Sequence, residues 1–280
     1  MIDLHMHTTA SDGRLEPAAL VDRARDAGLT TIAVTDHDTT QAIDEVSRLA
    51  GADQIRVVPG IEVTSVDEGR DMHLLAYFVD HHDAALGEFL ARQRERRLDR
   101  VRDVAARLSK LGIPVDVEAL IARARAKPGT AIGRPWIARA LVRAGHASSV
   151  AEAFDRWLGQ GQPAYVPRIG PSPTDVFATV HAAGGVVSFA HPGVTKRDEL
   201  LAPLAEAGLD AVEVYHSDHT PEARAWYRAV AGALGLGVSG GSDFHGVGET
   251  RAVLGLVHLP PDEFEALEAR ATRRAAQAGR

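Results

Sequence analysis

Short runs rich in Val and Ile alternate along this chain with segments whose apolar residues recur every three or four positions. Residues 2–7 read as a strand, and 16–27 as a helix closed by Gly28 at its C-terminus. A second strand over 30–35 and a helix over 41–50 follow, then two further strands over 55–63 and 73–79. The alternation resumes later with a helix at 174–183, a strand at 186–190, a helix at 199–207, a strand at 210–215, a helix at 221–234 and a strand at 237–240. Seven strands with mostly helical connections predict an α/β fold with a largely parallel sheet. Polar residues follow nearly every strand and must converge to act together. A barrel is therefore favoured over an open sheet, because (β/α) barrels gather their chemistry at the C-terminal strand ends.

Residues 83–171 interrupt the pattern and read as helical. Leu86, Phe89, Leu90, Leu98, Val101, Ala105 and Leu108 mostly recur at helical spacing and give an amphipathic helix ended by Gly112. Shorter helices are expected over 117–126, 135–144 and 150–158, and the Gly- and Pro-rich stretch 159–173 looks like a return linker. The expected organisation is thus a barrel from 1–82 and 172–280, with an inserted α-helical subdomain at 83–171.

Composition narrows the chemistry. With 45% hydrophobic residues, the 280-residue chain can bury a sizeable core, and no apolar run approaches the roughly 20 residues a membrane span needs. A strand-like start leaves no room for a signal peptide, and the absence of cysteine excludes disulfides and thiolate zinc sites, so a cytoplasmic location is expected. A formal net charge of −7 argues against a protein that grips long nucleic acid through a broad basic face, while small phosphorylated substrates remain compatible.

The candidate chemistry lies at the strand ends. Asp3-Leu4-His5-Met6-His7 places two imidazoles on one side of an extended segment, within reach of one metal ion. Asp12, His37, Glu62, His73, His191, Asp243 and His245 extend the set to six histidines and three carboxylates. An ion that keeps water or substrate uses about three or four protein ligands. Nine ligands with a bridging carboxylate therefore suggest two or three divalent ions, manganese foremost, with iron, zinc or magnesium as alternatives. Clustered divalent ions clamp a phosphate and lower the pKa of a bound water.

Asp3-Leu4-His5-Met6-His7-Thr8, Thr35-Asp36-His37, Gly60-Ile61-Glu62, His73, Ala190-His191-Pro192 and Gly241-Ser242-Asp243-Phe244-His245-Gly246 together resemble the successive motifs of the PHP (polymerase and histidinol phosphatase) superfamily. The resemblance spans residues 3–245 and matches all nine metal-binding positions in order. It implies a distorted (β/α)₇ TIM-like barrel with phosphoesterase chemistry. In the family arrangement His5, His7, Glu62 and Asp243 hold one metal, Glu62 bridges to a second held by His73 and His191, and Asp12, His37 and His245 hold a third. His73 stands at the start of its apolar run, so its place in the set rests on the resemblance.

The insertion resembles that of stand-alone nucleotide phosphoesterases, which cleave nucleoside monophosphates, 3′,5′-bisphosphates or the 5′ ends of short RNAs. Gly133-Arg134-Pro135 and the segment from Pro163 to Arg168 look like its phosphate-facing segments, although Trp136 replaces an expected histidine. The implied substrate is a small phosphorylated nucleotide or a short oligonucleotide, attacked by a metal-bridging hydroxide while Arg134 holds the phosphate. Arg168 and Trp136 are further candidate substrate contacts. Leaving-group protonation falls to His191 or His216, histidines at the ligand end of the barrel, or to a metal-bound water; His219 is a lesser candidate. A 5′→3′ exoribonuclease, a histidinol-phosphate phosphatase and a non-catalytic metal-binding module are the rival expectations. Asp36 is expected to orient an imidazole. Adjacent residues of an extended segment face opposite ways, so His81 and His82 read as surface loop. Arg92, Arg94, Arg96, Arg97, Arg100 and Arg102, interleaved with Glu95, Asp99 and Asp103, read as a salt-bridged helix face.

Overall fold

In the computed structural model, residues 1–52, 54–127, 129–246 and 253–278 are described. Among them, eight strands form two sheets. β1 (Ile2–Met6), β2 (Thr31–Val34) and β3 (Arg56–Val57) are parallel in that order. β4 (Gly60–Asp67), β5 (Arg70–Tyr77), β6 (Val186–Phe189), β7 (Ala211–His216) and β8 (Gly237–Gly241) make the second sheet. The helices are α1 (Pro17–Asp26), α2 (Ile43–Ala52), α3 (Ala84–Lys110), α4 (Glu118–Ala126), α5 (Arg134–Arg143), α6 (Val150–Ala153), α7 (Pro173–Ala182), α8 (Pro192–Thr195), α9 (Leu201–Glu206), α10 (Pro221–Ala233) and α11 (Pro261–Ala278). None of the described helices is long and apolar enough to cross a membrane.

The α/β class holds, with two corrections to the strand pattern. The single strand expected over 55–63 is broken at Val58-Pro59, because proline cannot donate to a ladder. β4 and β5 then form an antiparallel hairpin, and β5 also runs antiparallel to β6. Glu68 and Gly69 turn this hairpin with φ of 48° and 76°, the backbone a two-residue primed turn requires. The reversal explains His73: β5 starts where β6 ends, and the Ala190 amide donates to the His73 carbonyl at 3.1 Å. No continuous ladder joins the two sheets among the described residues. They meet instead through the bridges Met6–Phe244 and His37–Glu62. At the first seam β8 lies so close to β1 that a Cβ on Gly241 would stand 2.3 Å from the His5 amide nitrogen.

Two apolar clusters line the sheets, one on the five-stranded sheet under α7, α9, α10 and α11, the other between β1, β2, α1 and α2. A third, built from Leu98, Val101, Ile121, Ile137, Leu141, Trp157 and their neighbours, belongs wholly to residues 98–166. The helix over 150–158 continues from α6 as a π-helical turn at Phe154–Leu158. α11, beyond the elements anticipated from the sequence, buries Phe264, Leu267 and Ala271 at helical spacing.

Asp210 ties the outer elements together. Its side chain accepts from His181 Nε2 at 2.7 Å, the Val187 amide at 3.0 Å and Arg274 Nη2 at 2.8 Å, and its carbonyl accepts from Gly237. Burial raises its pKa, but the hydrogen bonds from His181 and Val187 prevail and hold it below the usual carboxylate range. A carboxylate depressed in the folded state stabilises above its unfolded pKa and loses that contribution as pH falls through its native value. Asp210→Asn is expected to cost about 2–4 kcal/mol in urea unfolding near neutrality. The variant should also flatten the fall in stability below about pH 4. An unchanged midpoint and acid limb would dismiss this role.

Candidate metal centre

Each strand end contributes locally to one site. His5 lies within β1 and His7 one residue past its end, so alternation turns both imidazoles inward. Asp12 sits in the following turn, and His37 follows β2 and bridges to Glu62 of β4. His73 opens toward the same point from β5, His191 precedes α8, and Asp243 and His245 follow β8. Asp38, His191 and Asp243 are non-glycine residues at φ of 51°, 31° and 54°, a strained backbone that aims side chains where a regular strand would not.

All nine sequence-predicted ligands come together. Glu62 Oε1 lies 2.8 Å from His73 Nδ1 and 3.1 Å from His191 Nε2. Glu62 Oε2 lies 3.2 Å from both His7 Nε2 and His37 Nδ1 and 3.4 Å from His5 Nε2. Asp243 Oδ1 is 3.2 Å from both His5 Nε2 and His7 Nε2. Three groups result, each with donor atoms within 4.8 Å of one another: His5, His7, Glu62 and Asp243; His37, Glu62 and His73; and His7, Asp12, His37 and His245. Glu62, His7 and His37 thus each belong to two groups, while His191 joins the cluster through its approach to Glu62.

The donor set fits divalent ions. His7 Nε2 and His37 Nδ1 are buried and make no hydrogen bond, although both face carboxylate oxygens. Ring nitrogens so placed suit a shared cation. The electrostatics agree. Burial raises Glu62, but the His37, His73 and His5 imidazoles hold it well below its ordinary range. Burial lowers His7, yet the Asp243 and Glu62 carboxylates facing it carry it up to about 10. His37 goes the other way: burial outweighs Glu62 and Asp12 and brings it down to about 3. The cluster thus offers a neutral imidazole at His37.

A layer of acidic residues holds these ligands from behind. Glu213 Oε1 accepts from His5 Nδ1 at 2.8 Å, and its other oxygen accepts from the His191 amide at 2.6 Å. Asp36 accepts from the Thr8 amide and hydroxyl and from the Ser11 hydroxyl, so it fixes the loop after β1 and touches no imidazole. Asp3 accepts from the His5 and Ser242 amides across the seam, and burial takes its pKa up to about 6. Glu213 was missed from the sequence, where its one signal is a charge inside the run Ala211-Val212-Glu213-Val214.

Beyond the ligands, a cavity of about 250 Å³ is lined by Asp12, His37, His73, Arg97, Arg134, Arg168 and His245, among others. Arg134 Nη2 and Arg100 Nη1 reach Asp71 Oδ2 at 3.2 and 3.1 Å. Arg97 Nε reaches Asp38 Oδ2 at 2.5 Å, and Arg168 Nη1 approaches the same oxygen at 3.6 Å. Arg97 and Arg100 are therefore buried against Asp38 and Asp71, and only Arg92 and Arg102 keep the helical pairings expected of a solvated face. Burial and the neighbouring Arg97 bring Arg168 down to about 9 despite Asp71 and Asp38, and burial with Arg100 lowers Arg134. Crowded, desolvated guanidiniums favour an anion beside them.

Two expected substrate contacts lie elsewhere. His216 has no exposed surface; its Nε2 is 3.3 Å from Asp243 Oδ2 and its Nδ1 accepts from the Asp218 amide. It backs the candidate ligand Asp243 and does not line the cavity. Trp136 packs with the helical cluster and donates from Nε1 to the Ser11 carbonyl at 2.9 Å, outside that cavity.

Residues 3–114 match the PHP domain model. The chain is 40% identical over 252 residues to the 5′-3′ exoribonuclease Rnm of Escherichia coli, covering 87% of this chain and 84% of that protein. The chain belongs to the PHP family. It is also 34% identical to the 3′,5′-nucleoside bisphosphate phosphatase of Chromobacterium violaceum, over 98% and 99% of the two chains. A crystal structure of a candidate metal-dependent phosphoesterase from Bifidobacterium adolescentis superimposes with a TM-score of 0.87 at 36% identity, covering 96% of each chain.

Removing the charge behind His5 and His191 tests this arrangement of the PHP-family site. Glu213→Gln is expected to weaken divalent-ion retention about 10–100-fold in chelator competition, with the circular dichroism spectrum unchanged. Wild-type retention in that variant would show that Glu213 plays no positioning part.

Proposed function

We propose that the protein is a metal-dependent phosphoesterase that releases phosphate from small nucleotides, a nucleoside monophosphate or a 3′,5′-bisphosphate, in the cytoplasm. Membership of the PHP family makes the chain a hydrolase of phosphate esters. The observation that carries the finer reading is one small cavity lined both by seven of the nine candidate ligands and by the desolvated Arg134 and Arg168. We take the two sheets as the halves of a distorted (β/α)₇ barrel from 1–82 and 172–280, with 83–171 as its helical insertion. The separate apolar cluster of residues 98–166 supports that division.

His5, His7, Glu62 and Asp243 would hold one ion, His73 and His191 with Glu62 a second, and Asp12, His37 and His245 a third, manganese being the first choice. Bound divalent ions lower the pKa of water and stabilise charge on a phosphoryl group. The protein's own groups do the rest. Glu213 fixes the tautomer of His5, because a carboxylate can only accept and so keeps the proton on Nδ1 and leaves Nε2 free to face Glu62. Arg134 and Arg168 would bind the non-bridging phosphate oxygens, released in part from Asp71 and Asp38 as an anion enters. His191, buried but lining the cavity wall, is a better placed proton donor to the leaving oxygen than His216, which does not line it.

A 5′→3′ exoribonuclease is the second reading. A groove lined by Arg96, Arg97, Arg100, Arg168 and Ile169 adjoins the cavity through Arg97 and Arg168, a path that a following nucleotide could take.

Metal-loaded protein should release phosphate from AMP or 3′,5′-bisphosphoadenosine, and Asp243→Ala should bring release to background. Arg134→Ala should raise KM about tenfold or more with a smaller effect on kcat. Activity confined to a 5′-phosphorylated trinucleotide would transfer the assignment to the exoribonuclease. Inertness toward those esters and histidinol phosphate, with ions bound, would overturn it.

A further inference from the structure

A second cluster of metal-type side chains stands apart from the site described above. Expectation placed His81 and His82 on opposite sides of an extended segment, but the chain turns there. The His82 amide donates to Asp80 Oδ1 at 3.0 Å and the Asp83 amide donates to the Asp80 carbonyl at 3.0 Å, just before α3 begins. The turn brings the two imidazoles to one side, with ring centroids 4.1 Å apart. Both Nε2 atoms approach one oxygen of Asp44, in the first turn of α2: His81 at 2.9 Å and His82 at 3.5 Å. The three donor atoms lie within 4.8 Å of one another.

We propose that Asp44, His81 and His82 bind a zinc ion, or a first-row ion of similar preference, that clips α2 to the start of α3. Zinc bonds of about 2.0–2.1 Å in a tetrahedral site put neighbouring donors about 3.3–3.4 Å apart. The two observed separations bracket that value, so small side-chain adjustments would complete the geometry. Two imidazoles and one carboxylate suit zinc better than calcium or magnesium, which take oxygen ligands. Water would fill the fourth position, since His82 and Asp44 are largely exposed. An ordinary hydrogen bond from His81 satisfies Asp44 Oδ1 without any need for His82 on the same oxygen, and a shared cation accounts for both. None of the three residues lines the cavity of the first site. The consequence is mechanical: α3 carries Arg97 and Arg100 to Asp38 and Asp71, and the clip fixes the turn from which α3 starts.

The test is equilibrium dialysis of the full chain against Zn²⁺, comparing wild type with the His81→Ala/His82→Ala double variant and with Asp44→Asn. The double variant is expected to bind one zinc ion fewer per chain with unchanged phosphate-ester turnover. Asp44→Asn should weaken the same ion at least about tenfold. The one-ion difference should persist when Asp243→Ala is added to both proteins, which separates this site from the first. Zinc should also raise the melting temperature of wild type more than that of the double variant. Equal zinc content in wild type and double variant would overturn the proposal, as would a difference that disappears in the Asp243→Ala background.

Discussion

Glu62 is almost wholly buried, and five imidazoles, those of His5, His7, His37, His73 and His191, each bring a ring nitrogen within 3.4 Å of one of its two oxygens. A carboxylate taken out of water is costly unless charge and hydrogen bonds replace the lost solvent. The five histidines arrive from β1, the loop after β2, β5 and the loop after β6, so the meeting of the two sheets and the solvation of Glu62 are one constraint. The bridge between His37 and Glu62 makes the dependence explicit, because it is both a seam of the fold and a contact of the site.

Burying that cluster obliges the protein to support it from outside. Glu213, Asp3 and Asp36 each accept from groups on or beside the ligands, and each spends a buried charge to fix a backbone or ring position. Close approach does the same work sterically at Gly241, where the absence of a side chain lets β8 lie against His5. Positive φ at Asp38, His191 and Asp243 adds a local cost that the surrounding contacts hold in place. Rigidity is the common product, and it suits a centre whose donors must be held in place for metal binding.

The helical segment supplies the opposite charge. Arg97 and Arg100 of α3, Arg134 of α5 and Arg168 lie against only two carboxylates, Asp38 and Asp71. Three of those guanidiniums are enough to hold Asp71 at about 2 against the effect of burial. The site therefore juxtaposes an anionic pocket for cations with a cationic wall for an anion. A phosphate ester needs both, and the net charge of −7 conceals the arrangement because it averages over the whole surface.

The grouping of the candidate ligands was legible in the sequence because most of them sit on short motifs at or near strand ends, where local pattern and chemistry coincide, His73 excepted; strand alternation alone aims His5 and His7 together. The α/β class followed from the alternation of periods for the same local reason. The hairpin at Glu68-Gly69 went unread in the sequence, and its consequence, His73 beside His191, depends on which strand β5 pairs with. Tertiary structure alone decided the pairings separated by long stretches of chain, such as Glu213 with His5 and Arg100 with Asp71. Helical spacing cannot say which arginines of α3 face inward, since that depends on what packs against the helix. Nor could the sequence bring His81 and His82 onto Asp44, because their common direction comes from a turn whose geometry is set by α2 and α3 on either side.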